Sequence, residues 1–280
     1  MFKVGGRVRG QARAFLKAYA RYRPTEIEQR LKSLDRLVSR ADPDLFAISD
    51  LARYELRGFS QNGEDGVLVE ILNRIGVTNR FFVEFGIQNG TEGNCVLLAD
   101  VFGWSGVFIE ADDELFDAVS AKYAGFPVRT VQDFVTAARV DEIFTAAGVP
   151  AAPDVVSIDI DGNDLYVWDA LTVARPRVVV IEYNSGIRGT GPLAQPHDPD
   201  RPWSGGGDFG STIAALDKVA DRKGYRLAHT DMTGTNAFYV DAELWPRLGL
   251  DAVRRRNQNF GLTGITQPPA TPPGGWAAVD

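Results

Sequence analysis

Short apolar runs alternate with amphipathic segments along the middle of this chain. Five of these runs are rich in β-branched and aromatic residues, which predicts buried strands. They begin at Phe81, Gly106, Val128, Val155 and Val178. An amphipathic helix is predicted over 211–223, and two more strands over 225–230 and 237–240, joined by a turn that contains glycine. Strands that alternate with helices are typical of an open, mostly parallel α/β sheet.

The segment before these strands is predicted to be mostly helical. Aromatic residues at helical spacing, and an apolar stripe after a capping box from Thr25 to Glu28, predict two helices within residues 1–58. We expect this helical N-terminal arm to form a hairpin or an oligomerisation surface, or else to pack on the main domain.

The main domain is predicted to span residues 59–250. An apolar stripe that begins at Val67 and stops at Gly76 predicts a helix, and another helix is predicted to follow the third strand and run through Phe144. Residues 251–280 are expected to form an extension with a Pro/Gly-rich tail that is extended or disordered.

Composition narrows the class of protein. A chain of 280 residues with 44% apolar residues is long enough for one large domain with an appendage. One cysteine excludes an internal disulfide, and with two histidines any metal is expected to be a hard cation bound by oxygen. Basic residues within the first twenty positions interrupt the continuous apolar core that a signal peptide needs. No apolar run in the sequence is long enough to cross a bilayer. The sequence therefore predicts a cytoplasmic protein.

Charge is unevenly distributed along the chain. Residues 1–40 hold 11 Lys and Arg against 3 Asp and Glu, a net charge of +8, so residues 41–280 carry −15 to give the total of −7. An acidic body argues against a nucleic-acid partner, because such binding depends on neutralising phosphates. We expect the basic segment to be a solvated helix face, or to contact a protein or anionic lipid at the inner face of a membrane.

The first predicted strand ends in an acid and is followed by a glycine turn. Glu84 precedes Gly86 and Gly90, and a strand, glycine turn and helix in that order form nucleotide clefts at the carboxyl ends of parallel strands. Glu110 ends the second strand 26 residues after Glu84, close to the separation at which an acid meets ribose hydroxyls. NAD-binding folds share this signal, so it leaves the cofactor open.

Acidic residues also crowd the ends of the fourth and fifth strands. Asp159, Asp161 and Asp164 crowd the end of the fourth strand, which is predicted over 155–160, and Glu182 and Asn184 lie at the end of the fifth. Like charges this close repel unless they are protonated or bridged by a cation. Mg²⁺ or Mn²⁺ is expected there, with Asp159, Asp161, Glu182 and Asn184 as ligands, and would lower the pKa of an acceptor hydroxyl. Alternatively, some of these acids cap helices or bind substrate hydroxyls directly.

Two histidines are candidates for the general base. His197 lies in a long Gly/Pro loop over 185–210, and His229 lies near the end of a strand. Either one is expected to take the proton of the acceptor, although a loop histidine is often only a solvated residue.

Four motifs together indicate a family. They are Ser60-Gln61-x-Gly63-Glu64-Asp65, Val83-Glu84-Phe85-Gly86-x-x-Asn89-Gly90, Asp159-Ile160-Asp161-Gly162-Asn163-Asp164 and Gly234-x-Asn236-Ala237-Phe238. With them the chain resembles the FkbM-like O-methyltransferases, which are class I S-adenosylmethionine-dependent methyltransferases. Gln88 stands where many methyltransferases carry glycine. The resemblance implies a Rossmann-like, seven-stranded sheet with helices on both faces, and methyl transfer to a hydroxyl of a sugar, polysaccharide or glycosylated metabolite.

The resemblance also implies roles for individual residues. Glu84 would meet the amino group of the cofactor, Glu110 its ribose, and Gly86 and Gly90 would admit its methionine part. Asp133 would lie near the adenine, or else cap a helix. The predicted cofactor-binding residues are Gln61, Glu84, Gly86, Asn89, Gly90, Asn94, Glu110, Asp133 and Asp159. The predicted catalytic residues are Asp159, Asp161 and His197.

Two other functions compete with methyl transfer. An NAD-dependent oxidoreductase would use Glu110 in the same way, although the helix and hairpin that end the domain argue against it. A non-catalytic scaffold would keep the fold and form a homo-oligomer through the N-terminal arm.

Overall fold

A computed structural model describes residues 50–187, 191–199, 209–231, 233–250 and 276–279. The predicted helices of the N-terminal arm before residue 50, and most of the predicted tail, lie outside the described residues. Within the described ranges, the helices are too short and too polar to cross a membrane.

A seven-stranded sheet forms the centre of the fold. The strands of the described chain are β1 (Phe81–Phe85), β2 (Ser105–Glu110), β3 (Val128–Gln132), β4 (Val155–Ile158), β5 (Val178–Glu182), β6 (Leu193–Ala194), β7 (Tyr225–Thr230), β8 (Asn236–Asp241) and β9 (Ala277–Ala278). The sheet has the order β3-β2-β1-β4-β5-β8-β7. Strands β1 to β5 run parallel, and β8 runs antiparallel between β5 and β7. This confirms the predicted Rossmann-like fold with a terminal hairpin.

Helices cover both faces of this sheet, so its parallel strands are apolar on both sides. They are α1 (Glu64–Ile75), α2 (Val96–Asp100), α3 (Asp113–Tyr123), α4 (Val140–Ala146), α5 (Asp164–Ala170), α6 (Ile213–Lys223) and α7 (Trp245–Leu248), after a 3₁₀ helix at Asp50–Tyr54. One core cluster joins α1, α2 and α3 to Phe82, Val180 and Phe238, and another joins α4, α5 and α6 to Val83, Ile158 and Tyr239.

Three boundaries near the carboxyl ends of the strands differ from the predictions. Strand β4 stops at Ile158, short of the predicted residue 160, because Asp161 and Gly162 take positive φ values of 57° and 152°. Helix α4 begins only at Val140, since residues 133–139 form a loop. The glycine turn continues as a loop as far as Cys95 before α2 starts.

The long loop over 185–210 is more structured than predicted, in its described part. Strand β6 pairs antiparallel with β9, and the amide of Val279 donates to the carbonyl of Pro192 at 2.7 Å. On its other side, Ala194 forms a bridge with Ser211. Strand β9, in the described part of the predicted tail, therefore pairs with the loop through β6.

Candidate functional site

Polar residues at the ends of three strands, β1, β5 and β8, lie on one face of the sheet. Side chains alternate between the faces of a strand, so Glu84 shares the face of Phe82, Glu182 that of Val180, and Asn236 that of Phe238. These three apolar residues belong to the core cluster under α1. We call Glu84, Asp159, Asp161 and Glu182 the acidic cleft, since they lie at the carboxyl ends of β1, β4 and β5.

The structure brings together three of the four residues predicted to bind a metal. One carboxylate oxygen each of Asp159, Asp161 and Glu182 lie within 4.8 Å of one another. Burial raises the pKa of all three carboxyls, and repulsion between the neighbouring acids raises those of Asp159 and Glu182 further, well above their usual range. In the described chain, none of the three pairs with a lysine, arginine or histidine. Among the described residues, Oε2 of Glu182 is buried and has no hydrogen-bond partner.

Asn184 and Asp164 take structural roles instead. The Asn184 side chain donates to the carbonyl of Phe209 and accepts from the amide of Gly186, each at 3.0 Å, so it fixes the loop that follows β5. Asp164 accepts from the amides of Ile160 and Gly162, so it fixes the loop before α5; it does not cap that helix, whose N-cap is Asn163. Burial raises the pKa of Asp164 to about 6.

The two histidines differ in access. His197 is exposed, and its ring lies 4.8 Å from that of Tyr166 on α5. His229 is fully buried in β7, with Nε2 at 3.0 Å from Oε1 of Glu55. The prediction of His229 as an alternative base is therefore wrong, because an acceptor cannot reach a ring enclosed in the core.

Glu84 organises the loop that follows β1. Its carboxylate accepts from the backbone amides of Asn94 at 2.6 Å and Cys95 at 2.9 Å, which lie at the start of α2. Burial raises its pKa to about 7. The side chain of Asn94 donates to Ser157 at 3.0 Å. Two residues predicted to hold the cofactor thus also stabilise each other and β4.

Gly86 and Gly90 are required by the protein itself. Both take positive φ values, 66° and 73°. A Cβ on Gly86 would lie 2.2 Å from the backbone oxygen of Asp159, and one on Gly90 would lie 3.0 Å from Val119 of α3. A side chain at either position would therefore meet protein atoms, and the contact of these two glycines with the methionine part of a ligand stays a prediction.

Glu110 lies where the sequence predicts a ribose ligand, facing the glycine turn. Oε2 accepts from the amide of Gln88 at 2.6 Å, and Oε1 from those of Ala111 at 2.8 Å and Asp112 at 3.0 Å. Gln88 itself has a φ of 55°, so the turn accommodates glutamine where glycine is usual. A carboxylate oxygen has two acceptor positions, which leaves one on Oε2 for a ligand hydroxyl.

The remaining predicted cofactor residues, Asp133, Asn89 and Gln61, lie in loops, which we call the rim. Asp133 forms an ion pair with Arg139 at 2.9 Å, and it does not cap α4, whose N-cap is Arg139. Asn89 accepts from the amide and hydroxyl of Thr91, and Gln61 is exposed.

Glu64 and Asn236, two residues of the family motifs that had no predicted role, meet in the structure. Glu64, from the motif before α1, accepts from the side chain of Asn236, from the motif at β8, at 3.0 Å. Each is a polar residue at the start of an apolar segment, and this is the signal in the sequence that could have marked both as functional or structural partners. Their partnership joins segments far apart in the chain, which no local pattern reveals.

The comparisons with known proteins gave matches among solved structures only. No family model and no curated protein matches the sequence. Similar solved structures include Aeropyrum pernix fibrillarin with natively bound S-adenosyl-L-methionine, with 12% identity, 68% of this chain and 76% of that chain covered, and a TM-score of 0.40. Another is the Bacillus cereus O-methyltransferase in complex with SAH, with 12% identity, 83% and 97% covered, and a TM-score of 0.41.

A third is the N-terminal domain of EvdMO1 in the presence of SAH and D-fucose, with 13% identity, 77% and 95% covered, and a TM-score of 0.41. Because these identities and TM-scores are low, the class of fold rests on the strand order of the sheet. That order, with β8 antiparallel between β5 and β7, is the seven-stranded Rossmann-like sheet that the resemblance implies.

Proposed function

We propose that this protein is an enzyme, an S-adenosylmethionine-dependent O-methyltransferase that acts on a hydroxyl of a sugar, polysaccharide or glycosylated metabolite. The observation that carries the proposal is the acidic cleft beside the glycine turn, in a sheet of methyltransferase order. Carboxylates without basic partners favour a ligand with positive charge, such as the sulfonium and ammonium groups of this cofactor. The same field disfavours the anionic pyrophosphate of NAD. The FkbM-like motifs support the choice of acceptor.

The donor set of the cleft also fits a hard divalent cation. Asp159, Asp161 and Glu182 offer carboxylate oxygens, the ligands that Mg²⁺ and Mn²⁺ prefer, and the buried Oε2 of Glu182 is without a donor in the described chain. We propose that these three residues hold such an ion. When bound, it would lower the pKa of an acceptor hydroxyl.

The protein's own residues would position the two substrates and receive a proton. Methyl transfer breaks the bond from carbon to sulfur, forms one from carbon to the acceptor oxygen, and releases the hydroxyl proton. Among the residues of the cleft, Asp161 is exposed, so it is the carboxylate that an acceptor reaches first. The oxygen of Asp161 that does not hold the ion would accept that proton. Glu110 would orient the cofactor through its ribose.

Calorimetry with S-adenosylmethionine, S-adenosylhomocysteine and NAD tests this proposal. We expect the first two to bind and NAD to leave no signal. Glu110→Ala should weaken S-adenosylhomocysteine binding by roughly 1.5–3 kcal/mol, the value of a hydrogen bond to a charged group. Glu114→Ala on α3 is the matched control, because Glu114 is exposed. Binding of NAD alone would support the oxidoreductase instead, and no binding would support the scaffold.

We also propose that residues 1–40 serve assembly or attachment, to a second copy, another protein or anionic lipid. The support is their net charge of +8 in an otherwise acidic chain. Deleting them should change the solution mass or vesicle binding and leave the affinity for S-adenosylhomocysteine unchanged. A large loss of that affinity would contradict the proposal.

A further inference from the structure

A buried carboxylate joins the loop before α1 to the start of β8. Glu64 is fully buried, and its Oε2 accepts from the backbone amides of Asn62 and Gly63, both at 2.8 Å. Its Oε1 accepts from the side-chain nitrogens of Asn62 at 3.2 Å and Asn236 at 3.0 Å. We call this arrangement the Glu64–Asn236 bridge. All four of these donors are N–H groups, so no cation neutralises the carboxylate within the bridge.

The bridge leaves the oxygen of the Asn236 amide without a donor. Asn236 is 2% exposed, and its Oδ1 is buried with no hydrogen-bond partner in the described chain. Asn236 is also the register partner of Glu182 across β5 and β8. Directly opposed side chains lie on the same face with their Cβ atoms about 5 Å apart. Two neighbouring buried oxygens, one from each residue, therefore lack a donor, and burying such groups is costly unless a ligand satisfies them.

We infer that Asn236 supplies a neutral oxygen ligand to a divalent cation held by Asp159, Asp161 and Glu182, and that Glu64 is the positioning residue for its amide. The inference rests on the metal site of the proposed function. Amide oxygens are normal ligands of hard cations, and they add coordination without adding charge to a crowded group of acids. Sequence position had favoured Asn184 for this role, but both ends of that amide are engaged in the loop after β5.

Glu64 dictates which end of the Asn236 amide is free. The two backbone amides on Oε2 cannot reverse their polarity, so Oε2 must stay an acceptor and Oε1 receives the amide nitrogen. The amide oxygen of Asn236 is then turned away from Glu64. Residues that orient a ligand in this way typically contribute 10- to 100-fold to metal affinity.

Glu64→Gln tests the inference by inverting this polarity. The new side chain must keep its oxygen on the backbone amides, so its nitrogen faces Asn236 and turns that amide around. We expect Mn²⁺ affinity, measured by calorimetry on the full chain, to fall about 10- to 100-fold. Combining Glu64→Gln with Asn236→Asp should restore most of the Mn²⁺ affinity. The carboxylate at position 236 would accept from the amide nitrogen at position 64 with one oxygen and offer the other to the ion. Glu70→Gln on the same helix is the matched control, since Glu70 pairs with Arg74 outside the bridge.

Binding of S-adenosylhomocysteine, measured on every variant, separates the possible failures. An unchanged Mn²⁺ affinity in Glu64→Gln, or no recovery in the double variant, would overturn the inference. If the wild-type chain binds S-adenosylhomocysteine but not Mn²⁺, the metal site and this inference both fail while the cofactor assignment stands. If Glu64→Gln does not fold, Asn236→Ala removes the same oxygen without disturbing the backbone contacts of Glu64. An unchanged Mn²⁺ affinity in that variant overturns the inference as well.

Discussion

An aspartate lies at each end of strand β4, and the surroundings of the two are opposite: Asp154 is fully buried and Asp159 is half-buried. Asp154, before the strand, accepts from the amides of Thr78, Asn79 and Arg80 and pairs with Arg177 at 2.9 Å. Burial opposes its ionisation, but the hydrogen bonds from Thr78, Arg80 and Arg177 prevail and lower its pKa. Asp159, after the strand, has no hydrogen bond to its carboxylate from the described residues, and burial with nearby acids raises its pKa.

The difference separates a carboxylate that supports the fold from one that is available to a ligand. Evolved cores satisfy buried charges, so Asp154 with its full set of donors is what stability requires. A buried carboxylate left without donors costs stability and is typical of a functional site. The contrast across β4 thus assigns structure to one end of the sheet and chemistry to the other.

The strongest test of the contrast is Asp154→Asn. The substitution removes the negative charge that pairs with Arg177 and places an amide nitrogen among N–H donors. Breaking a buried ion pair of this kind costs about 3–5 kcal/mol. Urea unfolding should show a loss of that size in the free energy of unfolding. A loss below about 1 kcal/mol would mean that this pair contributes little to stability, and the contrast would collapse.

A pH series sharpens the contrast at Glu84. Its pKa is about 7 in the folded chain against the usual 4.5, so the native state binds the proton more tightly than the unfolded state. Its contribution to stability is therefore full below about pH 4.5 and is lost as the pH rises through about 7, by about 3 kcal/mol. Glu84→Gln should lose less stability than wild type between about pH 5.5 and 7.5 in urea unfolding. Parallel profiles for the two proteins would contradict this.

Asp159→Asn should act in the opposite direction to Asp154→Asn. Without added metal at about pH 7.5, removing one charge from the crowded cleft should raise the free energy of unfolding by about 1 kcal/mol, since no partner is left unpaired. The same variant should lose methyl transfer. A destabilisation comparable to that of Asp154→Asn would show that Asp159 is a structural carboxylate too.

The smallest effect is expected at the rim, for Arg139→Ala. The Arg139 side chain is exposed in its pair with Asp133, and exposed ion pairs contribute little to stability because solvent screens them. Thermal unfolding should move little, and S-adenosylhomocysteine affinity should change only if the freed Asp133 contacts the adenine. A large change in stability would indicate that the loop over 133–139 is more than a rim.

The sheet could be predicted from the sequence because its signals are local. The apolar runs from Phe81 to Val178 appear in the structure as β1 to β5, and the acids that end them meet at one edge because parallel strands end together. Glu110 likewise faces the glycine turn as its spacing predicts.

The parts that could not be predicted depend on contacts distant in sequence. Glu55 with His229, Glu64 with Asn236, and Gly86 with the backbone of Asp159 each join separate segments. Helical periodicity reports which side of a segment is apolar, but it does not report which polar partner the segment finds.

The antiparallel hairpin of β7 and β8 has a consequence for the order of assembly. Asp231 fixes its turn by accepting from the amides of Thr233, Gly234, Thr235 and Asn236. A hairpin of this kind closes in about 1–10 μs, whereas parallel strands wait for crossover connections and long loop closures. The hairpin can therefore be complete before β8 docks against β5. The backbone of Asn236 would then be fixed by Asp231 before this residue pairs with Glu182. The hairpin would thus fold first and bring the fourth proposed ligand of the site to the sheet.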